Sequence, residues 1–340
     1  MRLSYRVRQI LLRIGVIALV LLVVAVLALF CWFRWLERYI VYTRDEGAIL
    51  NMQAAPQVAD GVVARPDKEE MEVAIYYNEG ENAINTSKEM TRLTGYYADT
   101  VALEKDINAV LDQAMALPVG TPVMLDVKSP KGNFYYSTNL STHQNPDLDT
   151  ASMDSLIQTL DKRGMYLIAR LPALRDYYFG LEKTSNGLFI SAGTHLWADD
   201  DYCYWLDPTQ EGTVSYLAQI VTELKGMGFD EVVFDAFTFP DTTNLRFSGD
   251  RSQAIADAAK TLVGSCASDS FTVSFIGKAT FPLPEQHCRL YLTEVVAAQA
   301  EALALETGLE NPDVRLVFLT ENHDTRFDAY GVLRPLEAAH

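Results

Sequence analysis

The chain has 340 residues, 49% of them hydrophobic, which is enough length and apolar content for one large domain with its own core. Seven arginines against one glutamate give residues 1–44 a charge of +6, so the formal total of −17 leaves −23 for the remainder. A surface that acidic repels nucleic acid and anionic headgroups, so we expect no nucleic-acid partner; it is compatible with neutral or cationic ligands.

The first predicted element is a membrane span near the N-terminus. Ile14 to Phe33 is an uncharged apolar run, long enough to cross a bilayer as a helix. Arginines precede it and mixed charges follow, so the positive-inside rule places the N-terminus in the cytoplasm. We predict a basic cytoplasmic tail at 1–13, a transmembrane signal anchor at 14–35, an extracytoplasmic spacer at 36–70 and an extracytoplasmic domain at 71–340. A cleaved signal peptide is the alternative, but no small-residue cleavage site follows the run.

After a predicted strand at 71–77, strand and helix patterns alternate along the chain. Predicted strands lie at 93–97, 122–126, 165–169, 231–234, 271–276, 289–292, 314–319 and 330–333; predicted helices lie at 101–115, 153–163, 214–224, 252–263 and 295–306. This alternation indicates parallel βαβ units. The strand count favours an α/β fold of the (β/α)8 type, a TIM-type barrel that is divergent or incomplete at its C-terminal end. An open doubly wound sheet is the alternative, but no glycine-rich phosphate turn follows the first strand.

The cysteines indicate neither a metal site nor a disulfide framework. Cys203, Cys266 and Cys288 lie beyond the predicted span, without C-x-x-C or metal-ligand spacing. Cys266 and Cys288 flank a predicted strand and could pair, with separate buried thiols as the alternative. We expect no metal and no organic cofactor.

Polar residues follow most of the predicted strands at the point where each ends. They are Asp126, Lys128, Arg170, Asp235, Lys278, Glu294, Glu321, His323 and Asp324. In a barrel, these residues converge on one mouth although they are scattered in sequence. Two carboxylates facing each other across a sugar ring are the minimum for glycoside hydrolysis. The alternative is that the strand-end acids and bases form structural ion pairs.

Aromatic residues of the kind that sugar rings stack on are frequent between residues 96 and 205. They are Tyr96, Tyr97, Tyr135, Tyr136, Tyr177, Tyr178, Trp197, Tyr202, Tyr204 and Trp205. Where two are adjacent, one ring in the core and one at the surface is the alternative interpretation. The acidic run Asp199-Asp200-Asp201 is similar to a cation site, with a hydrophilic loop as the alternative.

Several of these segments together resemble a bacterial family of glycoside hydrolases predicted to form a TIM barrel. The matching pieces are Gly95-Tyr-Tyr97, Leu125-Asp-Val-Lys128 with Gly132, Tyr166-Leu-Ile-Ala-Arg170, Trp205-x-Asp207-Pro208, and Gly228-Phe-Asp-Glu-Val-Val-Phe-Asp235 through Phe239-Pro240. They occur in the family's order over roughly residues 90–240. The resemblance implicates Asp126, Lys128, Arg170, Asp207 and Asp235.

A more distant likeness, to the α-amylase superfamily, lies in Phe234-Asp235-Ala236 and in Glu321-Asn-His-Asp-Thr-Arg326. This likeness implies that Asp235 is the nucleophile and that His323 and Asp324 bind the sugar. The chain also departs from the nearer family: Ala236 and Thr238 stand where that family usually has Tyr and Arg. Loss of two mouth residues is typical of a non-catalytic barrel.

The sequence therefore predicts a membrane-anchored extracytoplasmic glycoside hydrolase acting on a polysaccharide or cell-wall glycan. Asp235 is the expected nucleophile or general base, and Glu321, Glu294 or Asp126 the expected proton donor. The expected substrate-binding residues are Lys128, Arg170, Asp207, Tyr97, Trp205, His323 and Asp324. The alternatives are a carbohydrate-binding pseudoenzyme of the cell envelope and a structural partner in an envelope complex.

Overall fold

The structure, a computed structural model, describes most of the chain beyond the N-terminal region. The described residues are Trp32, Ile40–Thr43, Gly47–Leu50 and residues 90–336. Within these residues, no helix is both long and apolar enough to cross a membrane. The predicted span at 14–35, Trp32 excepted, and the predicted strand at 71–77 lie outside the described residues.

The chain divides into two compact units, Met1–Gly80 and Glu81–His340. In the first, Ile40–Thr43 and Gly47–Leu50 pair as antiparallel strands. The segment predicted as a spacer therefore contains a hairpin. The sequence Ile-Val-Tyr-Thr is rich in the β-branched and aromatic residues that favour strands.

The second unit is a closed barrel of eight parallel strands, numbered here β1 to β8. They are Thr94–Ala98 (β1), Pro122–Asp126 (β2), Tyr166–Pro172 (β3), Glu231–Asp235 (β4), Thr272–Ile276 (β5), Leu290–Thr293 (β6), Leu316–Leu319 (β7) and Gly331–Pro335 (β8). Each strand pairs with the next, and β8 pairs with β1. The predicted (β/α)8 barrel is confirmed. Its C-terminal end is complete, because β8 closes the ring.

Helices connect most of the barrel strands, but β5 and β6 are joined without a helix and β7 and β8 by a 3-10 turn. The helices are Thr100–Lys105 (α1), Ile107–Ala116 (α2), Thr150–Arg163 (α3), Tyr177–Glu182 (α4), Glu211–Gly226 (α5), Arg251–Cys266 (α6), Ala300–Glu306 (α7) and Pro312–Arg315 (α8), with 3-10 turns at Thr184–Asn186, Ala297–Gln299 and Thr325–Ala329. The apolar stripe of α5, for example, is buried at Leu217, Ile220, Val221 and Leu224. The helices thus cover the outside of the barrel.

The single helix predicted at 101–115 is in fact two helices. Asp106 lies between α1 and α2 with an extended backbone, and its Oδ1 accepts the N–H groups of Asn108 and Ala109 at 3.0 and 3.1 Å. An aspartate in this position is a favoured N-cap, and its side chain competes with continuation of the preceding helix. The apolar periodicity continues across this break, so it could not reveal the break.

The amino-terminal end of the barrel is closed by a buried polar network. Arg289 donates to Glu231 over 2.5 Å, and neither side chain is more than 2% exposed. The hydroxyls of Tyr166, Ser274 and Tyr291 also donate to the Glu231 carboxylate. Because every carboxylate oxygen has partners, the buried charge is compensated. This end of a (β/α)8 barrel serves stability rather than chemistry.

The described cysteines are all free thiols, so Cys266 and Cys288 do not pair. Burial raises the pKa of both the Cys203 and Cys288 thiols, whereas Cys266 is half-buried. The thiolate is the reactive form. Among these three, we therefore expect iodoacetamide at neutral pH to label Cys266 first, as measured by peptide mass spectrometry over time. Labelling of Cys288 at the rate of Cys266 in the native protein would contradict the buried position of Cys288.

Candidate active site

The mouth of the barrel, at the carboxyl ends of the strands, brings together residues from distant parts of the sequence. Met124, Ile168 and Val233 on β2, β3 and β4 pack inside the barrel. Side chains two residues further along a strand point to the same side. Asp126, Arg170 and Asp235 therefore form the next layer toward the mouth, as the sequence predicts for strand-end residues.

Asp126 and Arg170 form a two-bonded ion pair. Arg170 Nε donates to Asp126 Oδ1 over 2.5 Å, and Arg170 Nη2 donates to Oδ2 over 2.9 Å. The backbone N–H and the hydroxyl of Thr100 also donate to Oδ2, at 2.9 and 3.1 Å. Both oxygens of Asp126 are therefore occupied, by the guanidinium group of Arg170 and by Thr100. The ion-pair alternative thus applies to Asp126, and these contacts do not favour the predicted role of proton donor.

The electrostatics of Arg170 and Tyr97 locate two more carboxylates at the mouth. Burial of Arg170 acts to lower its pKa, but the hydrogen bonds and charge of Asp126, together with the charge of Asp235, raise it overall. Burial and the charge of Glu321 raise the pKa of Tyr97, which Arg170 acts to lower. The Arg170 Cζ lies 5.9 Å from the Tyr97 ring centroid. Asp235 and Glu321 therefore both lie near this central pair.

Asp235 is half-buried and opens onto a cleft at the mouth. Its Oδ1 accepts the N–H of Ala236 over 2.6 Å, and no residue in 90–336 forms an ion pair with it. Ala236 has φ of 49°, a left-handed conformation that is uncommon for residues other than glycine. Backbone strain of this kind clusters at functional sites. The carboxylate of Asp235 is thus fixed in direction but left available to a ligand.

The cavity beside Asp235, called here the Asp235 cleft, has a volume of ≈ 590 Å³. It lies between the segments that follow β4 and β5, and Thr293 of β6 borders it. Its lining includes a second carboxylate, Asp241, two cationic residues, Arg251 and Lys278, and the aromatic ring of Phe281. An apolar cleft with a few polar groups is the usual form of a small-ligand site.

Asp241 and Arg251 are the charged cleft residues that the sequence analysis did not single out. Asp241 lies in the loop after β4, and Arg251 is the first residue of α6. Both belong to a βα connection, and in this fold such connections build the active site. That position in the loop was the signal available in the sequence.

Lys128, predicted to bind substrate, is buried elsewhere. Its Nζ lies 2.7 Å from Asp176 Oδ2, with side-chain exposures of 0% and 1%, and donates to the carbonyl of Pro172. The rings of Phe134 and Tyr216 flank the ammonium group. The Lys128 side chain is therefore not accessible to a substrate, and its charge compensates the buried carboxylate of Asp176.

Asp207 and Trp205 also have local partners away from the cleft lining. Asp207 accepts hydrogen bonds from the N–H and hydroxyl of Thr209 and from the side chain of Gln210, so it shapes the turn before α5. Trp205 Nε1 donates to Asp199. The sequence predicts that Trp205 and Asp207 bind substrate. Their contacts in the structure instead indicate that the Trp-x-Asp-Pro motif forms a structural turn.

The acidic run at 199–201 forms ion pairs with an arginine. Arg175 Nε donates to Asp199 and Arg175 Nη2 to Asp201, over 2.5 and 2.6 Å. Among the described residues, no cluster of His, Cys, Asp or Glu could hold a metal ion. The similarity of this run to a cation site therefore reflects an ion-pair network.

The remaining predicted residues lie at the rim. Glu294 directly follows β6, is exposed and has φ of 56°. His323 is exposed, while Asp324 caps the 3-10 turn after β7 and binds Arg326 through both oxygens. Hydrogen bonds from Arg326 lower the pKa of Asp324. Asp324 thus already has a cationic partner, and none of these three residues lines the Asp235 cleft.

Only part of the predicted aromatic set is available for stacking. Tyr135 and Tyr136 are buried in the core. Tyr177 stacks on Tyr204, and Tyr178 stacks on His143. For Tyr135 and Tyr136 both rings lie in the core, so neither sugar stacking nor the alternative of one core ring and one surface ring applies. Tyr97 is half-buried at the mouth, and the cleft itself is lined by phenylalanines, which are not part of the predicted stacking set.

Fold and site together define a TIM-type barrel with an acid-lined cleft at the catalytic end of its strands. Residues 95–270 match the family described as "Putative glycosyl hydrolase domain", and the chain belongs to this family. The predicted membership is confirmed.

Several solved structures are similar to the chain. A hypothetical protein from Ruminiclostridium thermocellum ATCC 27405 is 20% identical, with 53% of this chain and 96% of that one covered and a TM-score of 0.45. The α-galactosidase from Lactobacillus brevis is 11% identical, with 74% and 38% covered and a TM-score of 0.49. The α-galactosidase from Thermus thermophilus is 14% identical, with 64% and 49% covered and a TM-score of 0.42. The chain spans less than half the length of the two galactosidases. No curated protein sequence matches it.

Proposed function

We propose that the protein hydrolyses glycosidic bonds in a polysaccharide or cell-wall glycan, with Asp235 as nucleophile or general base. One observation carries the proposal: a carboxylate without an ion-pair partner in residues 90–336 opens onto a cleft that also contains Asp241. Glycoside hydrolysis requires two carboxyl groups flanking the scissile bond. Membership of a glycosyl hydrolase family adds independent support.

The proposal is tested by incubating the purified protein with soluble polysaccharides and isolated cell-wall glycans. New reducing ends, measured over time, are the expected result. Glycans that bind without ever gaining reducing ends would instead support the carbohydrate-binding alternative. That alternative has a specific basis, because Ala236 and Thr238 line the cleft at the positions where the family usually has Tyr and Arg.

Asp241 is our candidate for the proton donor, because it is the second carboxylate in the cleft lining. A general acid contributes about 10²–10⁴-fold to the rate when the leaving group needs protonation. We expect Asp241→Asn to lose about that much activity on a natural glycan. We expect little loss on an aryl glycoside, because its phenolate leaving group does not need to be protonated.

Glu321→Gln serves as the matched comparison, because Glu321 also lies at the mouth but outside the cleft lining. Parallel kinetics on the glycan and on the aryl glycoside separate the two residues. A selective loss on the glycan in Glu321→Gln, with Asp241→Asn unaffected, would transfer the role of proton donor to Glu321.

We also propose that the protein is anchored by residues 14–35, with a cytoplasmic N-terminus and the barrel domain outside the cell. The uncharged apolar run and the arginines before it support this orientation. Protease added to intact cells should degrade the barrel domain, and the protein should sediment with membranes. Protection of the domain in intact cells would refute the orientation.

A further inference from the structure

We propose that the substrate carries an anionic substituent on a sugar ring, bound by Lys278 and Arg251 beside Asp235. The inference deepens the proposed function and rests on it. Both cations line the Asp235 cleft, one from the segment after β5 and one from the start of α6. They approach the same cavity from two different chain segments.

Lys278 is a cation without a neutralising partner. It lies two residues after β5, is exposed, and forms no ion pair within residues 90–336. In other parts of the barrel, buried cations have carboxylate partners, as Arg289 has Glu231 and Lys128 has Asp176. An unpaired ammonium group that faces a cleft is a ready partner for an anion.

Arg251 presents a fixed guanidinium group to the same cavity. Its Cζ lies 5.6 Å from the centroid of the Phe239 ring, and its Nη1 donates to the carbonyl of Pro240 over 3.4 Å. No carboxylate in the described part of the barrel pairs with it. An arginine held in this way keeps donors for a bidentate bond to a carboxylate, sulfate or phosphate group.

Charge balance in the cleft favours this interpretation. The negative charge of Asp235 would repel an anionic sugar, but the cleft lining also contains two cations, Lys278 and Arg251. The strongly negative remainder of the chain acts over a longer range, which salt screens beyond about 10 Å at 0.1 M ionic strength. The overall charge alone indicates neutral or cationic ligands. The two cations in the cleft instead predict an anionic ligand.

The test compares acidic oligosaccharides with their carboxyl-reduced counterparts, which share the same backbone and linkage. Oligomers of galacturonate, glucuronate and mannuronate are the probes, each also as the neutral reduced form and as the reduced form carrying sulfate. Binding is measured by titration calorimetry in the Asp235→Asn background, so that hydrolysis does not consume the ligand. The sulfate arm distinguishes a general anion site from a carboxylate site.

We expect at least one acidic oligosaccharide to bind about tenfold more tightly than its neutral counterpart, as charge-assisted hydrogen bonds would give. The preference should fall as salt increases. It should be lost in the double variant Lys278→Met with Arg251→Met. Arg251→Lys keeps the charge but loses the planar fork, so it should retain only part of the preference. Lys105→Met, an exposed cation on α1 outside the cleft, should bind as the parent does.

Two outcomes would overturn the inference: no acidic probe binds better than its neutral form, or the preference survives in the double variant. Turnover by the unmodified protein is measured on the same probes. Cleavage of neutral glycans without any acidic preference would remove the inference and leave the hydrolase. A preference for acidic glycans without cleavage of any probe would remove the hydrolase and leave an anionic-glycan site.

Discussion

Asp235→Asn is expected to lower the kcat of hydrolysis by about 10²–10⁴-fold. The amide has nearly the same shape as the carboxylate, but it can neither form a glycosyl ester nor take a proton from water. Asp235 has no ion-pair partner in residues 90–336, so the substitution leaves no buried cation uncompensated. The loss should therefore appear in the rate and not in the fold, as measured by reducing-end release beside a thermal unfolding curve.

Asp112→Asn is the matched control, because Asp112 is an exposed aspartate on α2, away from the mouth. It makes the same chemical change and should leave both activity and stability unchanged. Added azide provides a second measurement for Asp235→Ala: in a retaining mechanism it replaces the missing nucleophile and yields a glycosyl azide. Full activity in Asp235→Asn would exclude Asp235 from the chemistry.

The barrel could be predicted because its strands are short apolar runs, bounded by turns, at regular spacing. Glu231-Val-Val-Phe-Asp235 is such a run, and it forms β4. The break at Asp106 could not be predicted from periodicity, since the apolar spacing on its two sides is continuous. The last strand, Gly331–Pro335, lies where the sequence predicts one at 330–333, although it follows a short 3-10 turn instead of a full helix.

The site was predictable only as a set of positions at the mouth. That Asp126, Arg170 and Asp235 share one end of the barrel follows from their places at strand ends. Their partners do not follow, because Arg170 is 44 residues from Asp126 and Lys128 lies 48 residues from Asp176 in sequence. Local patterns carry no information about such pairs. The same limit explains why Lys128 is predicted to bind substrate although it is fully buried.

The second large effect concerns this buried pair. Lys128→Met should lower the free energy of unfolding by about 3–5 kcal/mol, because it leaves the Asp176 carboxylate uncompensated in the interior. Among the described residues, the hydroxyl of Tyr216 and the N–H of Phe179 would then be the remaining donors to the Asp176 side chain. Burial and the charge of Asp176 raise the pKa of Tyr216, so this hydroxyl remains a neutral donor and cannot replace the cation.

Urea unfolding of a double-mutant cycle with Asp176→Leu measures the pair itself. Removing both charges should cost less than the sum of the two single changes, because no buried ion is left unpaired. Lys131→Met is the control, since Lys131 is an exposed lysine in the same loop and should change stability by no more than about 0.5 kcal/mol. A stable Lys128→Met variant with impaired glycan binding would contradict the structural role and restore Lys128 to the substrate site. Lys128 would then have to leave its buried position when ligand binds.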